Sequence, residues 1–197
     1  LGDVYKRQGI ECSKVVGQGA QNYWVSAWKK EHFTKLPGNY KFLGVNSFDG
    51  RTQDQLHIHM TALQRQARTQ LDNLDTKSLS LSKWNSNIFT LTAQQETYVY
   101  RIAHVDNLDT NPFDLLDKYV ATQKDSAGKP YNDRFAQSLA VTEGPNGAGF
   151  FLIATQGKPS QPGQPPHAPD LAIYDPQAKK NHYGTSTVEP LMDRNWK

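Results

Sequence analysis

His57 and His59 stand one residue apart in "QDQLHIHMTAL" (residues 53–63), a run that alternates apolar and polar residues. Along a β-strand, alternate side chains share a face. Leu56, Ile58, Met60 and Ala62 would turn toward a core, and Gln53, Gln55, His57, His59 and Thr61 would turn the other way. Strand rise puts the two imidazoles about 7 Å apart. Three chemistries compete for that polar face. It is a solvated sheet surface, as antiparallel sheets commonly carry. It is half of a metal site, which would need a third ligand such as His104 or Glu96, with no spacing to support either. Or it is nucleophilic: an imidazole of ordinary pKa is largely neutral at pH 7 and can attack phosphorus, giving a phosphoramidate that water cleaves.

The elements that must hold these residues are partly readable. "YKFLGVN" (40–46) reads as a strand, Asp49-Gly50 as a turn and 53–63 as the returning strand of an antiparallel hairpin. An amphipathic helix is expected over 20–36, where Tyr23, Trp24, Ala27, Trp28 and Leu36 approach helical spacing and "LPGN" stops it. Residues 64–74 are rich in helix formers. Residues 97–105 are β-branched and aromatic, hence a strand. Asn111 and Pro112 open a helix over 111–123. "RFAQSLAVTE" and "AGFFLIATQ", joined by "GPNG", form a hairpin whose second strand is apolar enough to be central. Irregularly mixed helices and mostly antiparallel strands give an α+β class. The expected organisation is an N-terminal segment 1–19, a principal domain 20–157, a linker 158–169 carrying five prolines, and a polar tail 170–197 with little pattern.

Composition sets outer limits. The chain has 197 residues, enough for one domain with a real core. Its net charge of +3 is too small to argue for nucleic acid. Cys12 stands alone, so neither an intrachain disulfide nor a cysteine-based zinc site is expected. No window approaches the roughly 18 consecutive apolar residues of a membrane span. The opening "LGDVYKRQ" lacks Met and a signal pattern, and reads as the start of a fragment whose first eight residues are partly non-native.

Asn46, the Asp-Gly turn, Gln53 and His57-Ile58-His59 together resemble the signature of the histidine triad (HIT) superfamily, and the step of eleven from Asn46 to His57 resembles its spacing. The third triad histidine is replaced by Thr61. Within that superfamily, "VNSFDGRTQDQLHIHMT" resembles the CDP-diacylglycerol pyrophosphatase family. "NYWVSAW" (22–28), "RTQLDN" (68–73) and the closing hairpin are similar to it more weakly, so the resemblance spans roughly 20–157. It implies a HIT-like sheet with N-terminal strands missing from this chain. It implies hydrolysis of CDP-diacylglycerol to CMP and phosphatidate, with His59 as the nucleophile in a cytidylyl-histidine intermediate. Phosphatidate is already a good leaving group, so the loss of a third histidine is chemically tolerable.

The same resemblance implies that His57, Thr61 and Gln53 meet the phosphate oxygens, and that Asn46 orients His59 or binds ribose. Arg51 and Arg68 are candidates for the diphosphate or lipid phosphate. No metal or other cofactor is required. The expected partner is the nucleotide-lipid, with a membrane surface for a longer protein and a membrane-associated or extracytoplasmic setting. Family members are often dimers, though this branch need not be. Each residue has a plainer role: Asn46 and Gln53 can cap a turn, Thr61 can be an ordinary strand residue, and the arginines can be surface groups. His32 is expected on the surface and His104 to be structural, with His167 and His182 in the linker and tail. Trp24, Trp28 and Trp84 are expected to pack in the core before they line a pocket. Two other functions stay open: a different HIT-type nucleotide hydrolase or transferase, and a non-catalytic nucleotide- or lipid-binding module.

Overall fold

The computed structural model describes residues 9–30, 35–53, 55–93, 95–124, 128, 134–156, 172–193 and 195. Among the described residues, nine strands form one sheet: β1 Lys41–Val45, β2 His59–Leu63, β3 Ile88–Ala93, β4 Glu96–Val105, β5 Gln137–Glu143, β6 Phe150–Gln156, β7 Ala172–Asp175, β8 Lys180–Tyr183 and β9 Met192–Asp193. Their order is β7-β8-β4-β6-β5-β1-β2-β9, with β3 also on β4. Every pairing is antiparallel except β4 with β8, which meet in parallel at Tyr98 and Tyr183. The class is α+β, as the mixture of patterns implied.

Both faces of the sheet are covered, which is why the central strands are apolar on both sides. On one face, Leu43, Val45, Leu139, Val141 and Leu152 pack against α1 (Tyr23–Trp28) and α3 (Pro112–Ala121). Trp24 and Phe113 from those two helices meet at 5.0 Å between ring centroids. On the other, Phe42, Ala140, Phe151 and Ile153 pack with Ala67 and Leu71 of α2 (Arg65–Asp72) and with Val188 and Leu191 near the C-terminus. Asn111 caps α3 by accepting from the Phe113 amide, with Pro112 in the first turn. β6 sits between β4 and β5, buried from Phe151 to Gln156. The turn before it places Asn146 and Gly147 at φ 54° and 76°, backbone angles that Asn and Gly tolerate best. Trp24 and Trp84 are core residues, Trp84 donating its indole N–H to the Arg101 carbonyl at 3.2 Å, and Trp28 rests edge-on against Phe150.

Three expectations change. The first helix is six residues, not seventeen: Asn22 caps it through the Val25 amide, and it ends at Lys29-Lys30, where the apolar face gives out. The β1–β2 pair is not a tight hairpin. Pairing stops at Gly44 and His59, and residues 46–58 make a long connection in which Asp49-Gly50 is only a local turn. β1 leaves its partner because Ser47 and Phe48 donate their amides elsewhere, to Ser186 and Phe135. Finally, the polar stretch 170–197 supplies β7, β8 and β9 and buries Val188 and Leu191 in the core. One strand went unread: "IFTLTA" (β3) alternates exposed and buried residues, the period-2 signal of a half-covered strand. The linker 158–169, His32 and His167 fall outside the described residues. No helix among the described residues is long and apolar enough to cross a membrane.

Candidate active site

β2 begins at His59, opposite Gly44 of β1. Residues opposite one another in an antiparallel pair share a face, so the face that His59 occupies has no side chain at position 44. A Cβ there would stand 2.5 Å from a methyl of Val188. Gly44 is therefore what lets the C-terminal segment lie against the strand that carries His59.

His57 is on the connection just before β2, not in the strand itself, yet the two rings stay together. Their centroids are 4.8 Å apart and the rings are nearly perpendicular, at 72°. Nδ1 of His57 is 3.2 Å from the Gln55 carbonyl. A carbonyl only accepts, so Nδ1 donates and its proton is placed there. Leu56, Ile58 and Met60 do pack on the first core cluster, as the alternation implied.

Asn46 is buried beyond the end of β1 and reaches the His59 ring. Its Oδ1 accepts the Val188 N–H at 2.8 Å. Its amide nitrogen donates to the Gly50 carbonyl at 3.3 Å and stands 3.5 Å from Nε2 of His59. Since the oxygen is committed to Val188, the atom facing His59 is the donor. Nε2 then presents a lone pair, and the neutral ring carries its proton on Nδ1.

The His59 pKa is lowered from its ordinary value. Burial is the main cause, because a half-sealed site disfavours the charged ring. Repulsion from His57 adds to it, and the carboxylate of Glu189 opposes both. The first two outweigh the third, which favours a neutral imidazole with its Nε2 lone pair available at pH 7.

The remaining candidates divide. Thr61 lies one step further along the His59 face, half-buried. Gln53 is exposed on the connection. Arg51 is drawn the other way, in an ion pair with Glu11 at 2.9 Å and with its guanidinium 4.6 Å over the Phe48 ring. Arg68 is buried near the opposite end of β1, where it donates to the carbonyls of Asn39 and Glu143 and pairs with Asp72. The structure thus gathers Asn46, His57 and His59, and does not bring Arg68 to them. His104 is structural, bonded to the Ala148 carbonyl at 2.6 Å, and His182 pairs with Asp175. Among the described residues, no cluster of three or more His, Cys, Asp or Glu could hold a metal ion.

The residues that sequence reasoning missed are in the C-terminal segment. Gly184–Val188 crosses the end of the sheet as a strap. Thr185 donates its amide to the Thr155 hydroxyl at 2.9 Å. The Ser186 carbonyl accepts from the hydroxyls of Ser138 (2.7 Å) and Ser47 (2.9 Å). Val188 completes the row on Asn46. The signal for this was a set of small polar residues inside strands that are otherwise apolar: Ser138 and Thr155 are buried, and buried hydroxyls need partners. Just beyond the strap, Glu189 comes beside His59.

A mostly antiparallel sheet thus carries an amide-braced histidine with a second imidazole against it. The model of the CDP-diacylglycerol pyrophosphatase family matches residues 3–175, so the chain belongs to that family. The match runs past both ends of the 20–157 span on which the resemblance was read. The CDP-diacylglycerol pyrophosphatase of Yersinia pestis is 29% identical over 156 residues, which is 75% of this chain and 55% of that protein. The chain therefore spans about half the length of the curated relative it matches.

Proposed function

We propose that this chain hydrolyses the diphosphate bond of CDP-diacylglycerol, releasing phosphatidate and CMP by way of a cytidylyl-histidine on His59. The observation that carries the reading is the disposition of His59 between Asn46 and His57, with Nε2 unprotonated, in a chain of this family.

The steps balance as follows. The Nε2 lone pair attacks the α-phosphorus, the phosphorus–oxygen bond to phosphatidate breaks, and its electron pair leaves on the phosphatidate oxygen. That oxygen belongs to a phosphate, so it departs without a proton donor. Water then attacks the same phosphorus and loses a proton to solvent, while the phosphorus–nitrogen pair returns to Nε2. The Nδ1 proton stays in place throughout. As Nε2 becomes bonded to phosphorus, the Asn46 N–H loses its acceptor on the ring and is free to meet a non-bridging oxygen. Thr61, on the same strand face as His59, supplies a further hydroxyl donor to developing charge, and His57 packs against the His59 ring.

The test is trapping. Substrate labelled in the α-phosphate, quenched without acid, should leave label on the wild-type chain and none on His59→Ala. Turnover by His59→Ala should drop on the order of 10⁴-fold or more. Undiminished turnover in that variant would sink the mechanism.

A further inference from the structure

Ser138 stands where β5, the connection after β1 and the C-terminal strap meet. It is fully buried and lies opposite Thr155 in the β5–β6 pair, so both hydroxyls share the face on which the strap lies. A serine hydroxyl has one proton to give and lone pairs to accept with. Ser138 uses both. It donates to the Ser186 carbonyl at 2.7 Å and accepts the Ser47 amide at 3.0 Å, an amide that the Ser186 carbonyl shares at 3.1 Å. The Ser47 hydroxyl closes the triangle, donating to that carbonyl at 2.9 Å and accepting from the Gly50 amide at 3.3 Å.

The arms of this triangle end on the partners of Asn46. Two residues beyond Ser186, the Val188 N–H meets the Asn46 Oδ1. Gly50, whose amide Ser47 holds, takes the Asn46 N–H on its carbonyl. Both groups that decide which way the Asn46 carboxamide points are thus fastened to a triangle that Ser138 anchors in the sheet. The direction matters because the two ends of a carboxamide are alike in shape and opposite in character. With its nitrogen toward His59, the amide matches a lone pair on Nε2. Turned by half a rotation, it would set its oxygen there, and the ring would match it by carrying its proton on Nε2 and not on Nδ1. That tautomer has no Nε2 lone pair to give to phosphorus. A turned amide also faces the Val188 N–H with a second donor, and this is costly only while Val188 is held in place.

We infer that Ser138 is a positioning residue: by tying the strap to the connection after β1, it fixes the direction of the Asn46 amide and with it the tautomer of His59. It acts through Ser47 and Ser186 and touches neither the ring nor the substrate. The kinetic consequence rests on the proposed function, and adds to it a residue of a central strand outside the histidine motif.

The experiment compares Ser138→Ala with Thr142→Val in the 197-residue chain. Thr142 is on the same strand and face, is equally buried, and gives its hydroxyl to the carbonyl of Lys41, at the far end of β1 from Asn46. Each variant loses one buried hydrogen bond, so their urea midpoints should fall alike. Ser138→Cys, close in shape with a far weaker donor, is the second variant and should behave as Ser138→Ala. Nitrogen-15 NMR of the imidazoles, assigned with His59→Gln at a pH where the rings are neutral, reads the tautomer. Wild type is expected to carry the His59 proton on Nδ1. Ser138→Ala should show Nε2 protonated in part of the population, and its kcat for CDP-diacylglycerol should fall about tenfold at unchanged KM, the scale of one buried hydrogen bond. Thr142→Val should keep the wild-type tautomer and kcat. A wild-type tautomer in folded Ser138→Ala and Ser138→Cys, or the same tautomer change in Thr142→Val, overturns the assignment. A tautomer change in Ser138→Ala, with no hydrolysis by wild type, refutes the function and leaves the positioning role standing. Hydrolysis by wild type, with the tautomer unaltered in both Ser138 variants, refutes the positioning role and leaves the function standing.

Discussion

Asn46 holds Val188 with its oxygen and faces Nε2 of His59 with its nitrogen, so one amide joins the C-terminal strap to the His59 ring. Asn46→Ala removes both contacts. The Val188 N–H is then buried without an acceptor, which costs about 1–3 kcal/mol. The ring also loses its brace, and kcat should fall roughly 10²-fold, as when one transition-state donor is removed. KM should change little, since the donor's partner exists only after attack. Urea unfolding with steady-state kinetics checks both effects. A variant that loses stability but keeps kcat would assign Asn46 to architecture alone.

The pH profile follows from the lowered His59 pKa. In the proposed mechanism the neutral ring is the reactive form, so kcat/KM should hold to below pH 6.5 and then fall as Nε2 protonates. His57→Gln removes a repelling charge, so its acid limb should move to higher pH. Glu189→Gln removes an attracting one, so its limb should move lower. Shifts in the reverse sense would place neither group beside His59. Stability is linked to the same ring. The unfolded chain takes up a proton near pH 6.5 and the folded chain only at lower pH. The contribution is therefore complete above about 6.5 and is lost as pH falls through the folded value.

Gly50 tests the strap from the opposite side. A Cβ at position 50 would lie 2.0 Å from the Ser186 carbonyl oxygen, a backbone atom that cannot swing away. Gly50→Ala should therefore displace the strap, at a cost of about 1–3 kcal/mol. Turnover should fall with it, because Asn46 depends on Val188. An alanine variant with the stability and kcat of wild type would mean that the strap is not seated as described.

Arg68 separates structural from phosphate-binding arginine. Its guanidinium is spent on the Asn39 and Glu143 carbonyls and on Asp72. Arg68→Met should destabilise the fold by roughly 3–5 kcal/mol, the scale of breaking a buried charged network. The fraction that remains folded should keep its KM for CDP-diacylglycerol. A KM raised tenfold or more at normal stability would return Arg68 to the substrate.

Much of the site was legible because its chemistry is local. Asn46, His57 and His59 are close in sequence, and two-residue alternation sorts their neighbours onto core and polar faces correctly even where His57 lies outside the strand. The settings of Arg51 and Arg68 were not legible, because nothing local announces Glu11 or the Glu143 carbonyl as a partner. The strap was illegible for a related reason. Thr185, Ser186 and Thr187 have no apolar period, and their partners Thr155, Ser138 and Ser47 are 30 to 139 positions away. β7 and β8 are four residues each, too short and polar for periodicity to register. The helix over 20–36 was overextended because the apolar spacing continues on paper past the point where α1 has core to cover.

The Asn46–Val188 hydrogen bond spans 142 positions of chain. The Asn46 oxygen beside the histidine motif stays unmatched until Val188 has been made and has folded back onto it. Contacts of such separation form late, after shorter-range hairpins such as β5–β6 have closed. The hydrogen bond that braces the His59 side is thus among the late ones to form, so the setting of that ring depends on the folding-back of the strap.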